Sequence, residues 1–253
     1  MSIKTKASKL AILVTNPEIL FCKKKYLFVV SHMRSRSSVL SHILGNNPEV
    51  CGYKELHQSY KGQMSLINMQ IELAKDLKCQ FRNKYLLDKI LNNFTISDDI
   101  LNKVKPKILF LLREPEDTIK SIINMGFKTG VERYKDPIKV TEYYCKRMHT
   151  MEILSYKAGD GNLFIQSKDL VESSKDTLKK ISIWLNLEEP LKTTYTTFKD
   201  TGVMGFGDPL ENIKSGVLQA TSGYFNINIP EHLLSKANDS YKKCKATLIN
   251  NVK

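Results

Sequence analysis

The run Lys107–Leu112, KILFLL, constrains this chain more than any other stretch. After the lysine it has no polar break, so it cannot lie on a sheet with one wet face. It suits a strand covered on both sides, as in a parallel sheet between layers of helices. Arg113-Glu114-Pro115 follows at once, and Pro115 is suited to the first turn of a helix, predicted to run to Phe127. The same unit recurs along the chain. Tyr26–Val30 is an apolar, β-prone run, followed by a polar loop from Ser31 to Arg36 and a helix over Ser38–Leu44, closed by Gly45. Tyr85–Leu91 fits a buried strand, with a helix as the alternative, and Asn162–Ile165 fits a short strand. Helical stripes cover Gly62–Lys78, Ile138–Ala158, Lys175–Leu187 and Pro230–Leu248, and Ser97 caps a helix to Val104 with Asp98 and Asp99 in its first turn. Strand and helix alternate, which predicts an α/β fold with a central parallel sheet flanked by helices, as one domain over residues 1–253. Residues 1–25 form a leader and 190–229, rich in Thr and Gly, an irregular segment. Asp88 and Lys89 interrupt an apolar run and point to opposite faces; a structural ion pair or an edge position is preferred for them over a functional role.

Composition narrows the partners. The net charge of +13 is compatible with nucleic acid, an acidic membrane or a polyanionic cofactor. No basic run is interleaved with aromatics and no zinc-finger spacing occurs, so no nucleic-acid partner is expected and much of the lysine is solvated surface. The apolar patch Leu10–Val14 is too short to span a membrane and lacks a small-residue cleavage site, so no membrane association is expected. Five scattered cysteines without a C-x-x-C pair point to a reducing, cytoplasmic compartment and to no structural metal. Oligomeric state is not encoded in any pattern.

The polar clusters fall at the ends of two predicted strands, the edge where open α/β sheets bind ligands. The first is Arg34, Ser35, Arg36, Ser37 and Ser38, a loop entering a helix. Such a junction combines unpaired N–H groups, the positive end of the helix dipole and side-chain donors, and so suits a phosphate. The Walker pattern is absent, since the loop has neither glycine nor lysine. The second cluster is Arg113 with Ser121 eight residues later, an arginine fork and a hydroxyl suited to a second phosphate. A surface pair of Arg113 with Glu114 or Glu116 is the competing assignment.

Together these motifs resemble the PAPS-dependent sulfotransferases. Met33-Arg34-Ser35-Arg36-Ser37-Ser38-Val39-Leu40, then Asn47-Pro48-Glu49-Val50, is similar to that family's P-R-S-G-T-T-L-L loop and H-P-x-[VI] turn. Leu111-Leu112-Arg113-Glu114-Pro115 with Ser121 is similar to its R-[DE]-P strand end and following serine. Phe164–Val171 resembles its R-Y-E-D-L-V region, and Gly205–Gly216 a G-D-P-S-x-x-I-x-x-G segment of small bacterial members. Arg36 stands where the family has glycine, Met33 where it has proline, and Gln166 and Ser167 where it has arginine and tyrosine.

The resemblance implies a P-loop-like sulfotransferase fold, PAPS as cofactor with PAP as product, and no metal. It places Arg34, Ser35, Ser37 and Ser38, in the loop with Arg36, at the 5′-phosphosulfate, and Arg113 and Ser121 at the 3′-phosphate. Lys214, Ser215 and Gly216 close over the cofactor. Catalysis is then an in-line displacement, with Arg34 and loop N–H groups stabilising the leaving phosphate. The base is Glu55, with His57 second; both lie just after the first helix, where some members carry a glutamate. His32 is expected to be loop scaffold, His42 and His149 structural or exposed, and Tyr53, Phe127, Tyr143, Tyr144 and Phe206 are candidates for an acceptor pocket. The implied acceptor is a hydroxyl or amine on a small molecule, a guanidinium alkaloid toxin being one candidate. A carbohydrate sulfotransferase, a nucleotide kinase with a degenerate phosphate loop and a basic polyanion-binding protein are the alternatives.

Overall fold

A computed structural model of the chain describes residues 9, 11–21, 24–77, 81–203, 205, 208, 211–219 and 227–252. Five parallel strands form one sheet in the order β2-β3-β1-β4-β5. They are β1 (Lys25–Ser31), β2 (Val50–Cys51), β3 (Tyr85–Ile90), β4 (Lys107–Leu112) and β5 (Leu163–Gln166). The helices, in chain order, are α1 (Glu18–Phe21), α2 (Ser37–Gly45), α3 (Gln63–Leu77), α4 (Asp98–Val104), α5 (Pro115–Thr129), α6 (Glu132–Lys135), α7 (Pro137–Ala158), α8 (Asp169–Glu172), α9 (Ser174–Leu185) and α10 (Glu231–Asn251). Among the described residues of 190–229, a 3₁₀ turn spans Glu211–Ser215.

Alternation along each strand divides the core in two. Phe28, Val30, Leu86, Ile90, Phe110 and Leu112 face α3, α4, α5, α7 and α10, whereas Leu27, Val29, Leu87, Leu109 and Leu111 face α2 and α9. Phe110 and Leu111 are fully buried on opposite faces. Each such side chain stabilises the fold by about 1.5–3 kcal/mol relative to exposure. This two-sided burial is why β4 reads as an unbroken apolar run after Lys107.

Several boundaries move by a residue or two, because caps rather than apolar periodicity set them. Asp136 accepts from the Ile138 and Lys139 N–H groups and Pro137 opens α7. Ser97 accepts from Ile100 N and caps α4 as expected. The two-residue β2 is too short for a periodic signal. Gly45 is needed for close approach: a Cβ there would lie 2.5 Å from the Gly52 carbonyl oxygen.

Two expectations are corrected. Tyr85–Ile90 lies between β2 and β1, so Asp88 and Lys89 are not at an edge; both are buried, and each pairs elsewhere than with the other's side chain. Cys145 and Cys244 are free thiols, but Cys51 is disulfide-bonded, because spacing along the chain does not report which sulfurs the fold brings together. Cys22 and Cys79 lie outside the described residues. Among the described residues, no helix is long and apolar enough to cross a membrane.

Candidate active site

The first corner joins β1 to α2. Its two arginines, Arg34 at φ 63° and Arg36 at φ 68°, both take the left-handed conformation with no glycine to ease it. Each such residue costs about 1–2 kcal/mol, so the loop must be held by contacts outside itself. The Ser31 hydroxyl lies 2.5 Å from Ser35 Oγ and 2.7 Å from the Leu111 carbonyl oxygen. Met33 N–H donates to the Tyr143 hydroxyl at 2.9 Å. Ser167, fully buried, donates to the Ser35 carbonyl at 2.8 Å and accepts from Arg36 Nη1 at 3.0 Å. Beneath the loop, buried Arg147 donates to the carbonyls of Ser31 (2.7 Å), Asn92 (3.0 Å), Phe94 (3.3 Å) and Ile90. Arg36 occupies the N-cap of α2 without a side-chain cap bond, and Ser37, Ser38 and Val39 of the first turn line a cavity. A first turn without a side-chain cap is suited to an anion. Ser35 instead spends its buried hydroxyl on Ser31, holding the shape of the loop.

The second corner joins β4 to α5. Arg113 is 5% exposed, and its backbone N–H donates to His32 Nε2 at 3.0 Å while its carbonyl accepts from the Tyr144 hydroxyl at 2.7 Å. His32 Nδ1 in turn donates to the Met33 carbonyl at 3.0 Å. Burial pushes the His32 pKa down to about 3, so the ring is neutral and acts as scaffold, as expected. The Arg113 guanidinium gives one nitrogen to the Arg34 carbonyl at 3.0 Å and another to Asp117 at 3.1 Å, not to Glu114 or Glu116. Its Nε is buried without a hydrogen-bond partner among the described residues. Arg34 Nε reaches across to Ser121 Oγ at 3.0 Å, and Arg34 Nη1 pairs with Asp208 at 2.5 Å. The two corners therefore meet: Ser121 is engaged by the arginine of the first loop.

Beside the cradle lies a line of ionisable groups. Lys89, with its side chain fully buried, donates to Ser38 Oγ at 3.1 Å and stands 3.4 Å from Glu55 Oε1. Glu55 Oε2 is 3.9 Å from His57 Nδ1, and His57 Nε2 donates to the Gly205 carbonyl. The neighbouring Asp88 holds this segment down. It accepts from Leu56 N at 3.0 Å, from Lys89 N at 2.7 Å and from the Tyr60 hydroxyl at 2.6 Å. Burial pushes the Asp88 pKa up to about 7. Lys89 supplies the buried cation missing from the loop, and an apolar run broken by charge in mid-strand was the sequence signal for it.

A cavity of about 870 Å³ opens over both corners, lined by Arg34, Arg36, Ser37, Ser38, Arg113, Glu55 and His57 among others. Among the described residues of 205–216, Gly205, Asp208 and Ile213 face it; Lys214 lies against Gly202, and the Gly216 carbonyl accepts from Tyr195 N–H at 2.8 Å. Of the aromatic candidates, Tyr143 lines the cavity. Tyr53 stacks on Phe198 with ring centroids 4.1 Å apart, Phe127 is exposed, and Tyr144 lies buried beneath Arg113. Phe206 lies outside the described residues. His42 is structural, bonded to Ser38 O and Thr201 Oγ1, while His149 is exposed.

Comparison with solved structures identifies the fold. The sulfotransferase domain of the Synechococcus PCC 7002 olefin synthase matches with a TM-score of 0.53 and 15% identity, over 89% of this chain and 96% of that one. Mouse sulfotransferase SULT7A1, solved in complex with PAP, matches with a TM-score of 0.53 and 12% identity, over 96% of this chain and 91% of that one. The architecture is thus the P-loop-like α/β fold of sulfotransferases. No family model and no curated protein matches the sequence.

Proposed function

We propose that this protein is a sulfotransferase that uses PAPS as donor and a hydroxyl or amine of a small molecule as acceptor. The observation that carries the proposal is the meeting of the two arginine corners, Arg113 Nη1 on the Arg34 carbonyl and Arg34 Nε on Ser121. Two adjacent anion cradles suit one ligand with two phosphates. The donor set fits it: Arg113 keeps a buried Nε without a partner among the described residues, a group that an added phosphate oxygen would satisfy. Arg113, Arg34 and Ser121 would hold the 3′-phosphate. The first turn of α2, with Ser37 and Ser38, would hold the 5′ side, and Lys89 adds a buried cation beside Ser38. Arg34 already carries Asp208, so an incoming phosphate shares or displaces that carboxylate.

When bound, the nucleotide supplies the sulfuryl group. The chain supplies a charge-complementary cradle and a place for the acceptor proton, the Glu55–His57 pair facing the same cavity. Lys89 holds Glu55 from the buried side, and Asp88 holds the backbone that carries it.

Calorimetric titration with adenosine 3′,5′-bisphosphate tests this. One-to-one binding is expected, with adenosine 5′-phosphate binding more weakly for want of the second phosphate. Arg113→Ala should weaken the bisphosphate by about tenfold or more, the usual scale for a charge-assisted hydrogen bond. Absence of binding by the wild type overturns the proposal, as would magnesium-dependent ATP turnover in its place.

A further inference from the structure

The cavity has two unlike ends. One is the polar floor of Arg34, Ser37, Ser38, Glu55 and His57. The other is walled by Leu91, Phe94, Met125, Val131, Val140 and Tyr143, contributed by the loop after β3 and by the α5–α6–α7 turn. Leu91, Met125 and Val140 are buried, so this wall is a packed, mainly apolar surface suited to an apolar body, with Asn92 and Asn93 between Leu91 and Phe94 as its polar groups.

Arg133 and Lys139, neighbours in sequence of Val131 and Val140, line the same cavity. Arg133 is held by Tyr134, with its guanidinium 4.8 Å from the ring centroid and Nη2 donating to the hydroxyl at 3.0 Å. That contact orients the cation while leaving its charge uncompensated by any described carboxylate. Lys139 stands 3.8 Å from Asp136, whose other carboxylate oxygen is occupied in capping α7. Glu132, the other acid of this corner, pairs with Lys135 at 2.5 Å. Among the described residues, the acids that line the cavity are Glu55 and Asp208, which face Lys89, His57 and Arg34. Arg133 and Lys139, contributed by α6 and α7, therefore add positive charge to the lining apart from the polar floor.

We propose that the acceptor is an amphipathic anion. Its apolar body lies on the Leu91–Tyr143 wall, and a carboxylate, sulfonate or phosphate ester remote from the nucleophile sits between Arg133 and Lys139. This rests on the sulfotransferase assignment for the role of the site, and it adds the acceptor class and two specificity-determining residues.

The test compares two fluorescent probes with one ring system, 8-anilinonaphthalene-1-sulfonate and the neutral N-phenyl-1-naphthylamine. Both are titrated with adenosine 3′,5′-bisphosphate present to fill the phosphate cradles. The sulfonate should bind about tenfold tighter than the neutral probe, and Arg133→Gln/Lys139→Gln should bring the ratio to within about threefold, in keeping with loss of charge-assisted contacts. The thermal midpoint of the variant, whose two substitutions are at exposed positions, checks that it is folded. Equal affinities, tighter binding of the neutral probe, no binding of either, or an advantage that survives the double substitution overturns the inference. Failure of the bisphosphate itself to bind is a separate result that strikes the sulfotransferase assignment, and the double variant still decides whether the far end selects anions.

Discussion

The two corners that flank the cavity do similar work by opposite means. The β4–α5 corner adds short-range contacts to its distant ones from His32, Tyr144 and Arg34. Pro115 opens its helix, Thr118 Oγ1 donates to the Glu114 carbonyl at 2.7 Å, and Arg113 pairs with Asp117 four residues on. The β1–α2 corner is strained, with two left-handed arginines and no side-chain cap, and it is held by Leu111 of β4, Ser167 just after β5 and Arg147 of α7. A cradle built from local contacts tolerates loss of any one. A cradle held in a costly conformation by distant braces does not, because removing a brace releases the strain as well as the bond.

The widest expected gap between the corners is at Arg147. Arg147→Met leaves the carbonyls of Ser31, Ile90, Asn92 and Phe94 without their shared donor. Urea unfolding should show a loss of roughly 3 kcal/mol, the scale for breaking a buried charged network. A loss near zero would mean that the first corner supports itself.

His32 joins the corners and is pH-sensitive. Its folded pKa of about 3 lies below the ordinary 6.5, so the native state prefers the neutral ring. Stability is complete above about pH 6.5 and falls as pH drops toward 3, with a ceiling of about 1.4 kcal/mol per pH unit for one proton. Between pH 7.5 and 4.5 the wild type should lose more stability than His32→Asn, compared by urea midpoints. Parallel curves for the two proteins would remove His32 as the source.

Ser167→Ala deletes one brace of the first corner, cutting the bonds to the Ser35 carbonyl and to Arg36. A cost of about 1–2 kcal/mol in stability is expected, with weaker binding of adenosine 3′,5′-bisphosphate measured by calorimetry. The smallest effect belongs to the short-range pair of the second corner. Asp117 is largely exposed, so Asp117→Asn should change stability by no more than about 0.5 kcal/mol. Should Asp117→Asn cost as much as Ser167→Ala, the contrast between the corners would collapse.

The difference between the corners also explains what was legible in the chain. The second corner's strand, proline and serine all lie within eight residues of Arg113 and were readable together, whereas its contacts to His32, Tyr144 and Arg34 were not. The first corner showed its donors but not its supports. Arg147 lies on the inward stripe of α7 between Tyr144 and Met148, where a charge on an apolar face was the available signal. Ser167 stands where the resembled family carries tyrosine, and nothing local marks it as a brace. Lys89 and Asp88 were visible as a break in an apolar run, yet an edge strand was the ordinary explanation until the strand order placed them in the interior.

What the chain order determined by itself is the α/β alternation, the parallel sheet and the two donor clusters, because periodicity, caps and turn chemistry act over a few residues. Only the tertiary structure decided that Arg34 reaches Ser121, that Lys89 stands between Ser38 and Glu55, and that Arg133 and Lys139 share a cavity with them. Those meetings depend on strand order and helix packing, which join residues far apart along the chain through burial and hydrogen bonding that no local pattern records.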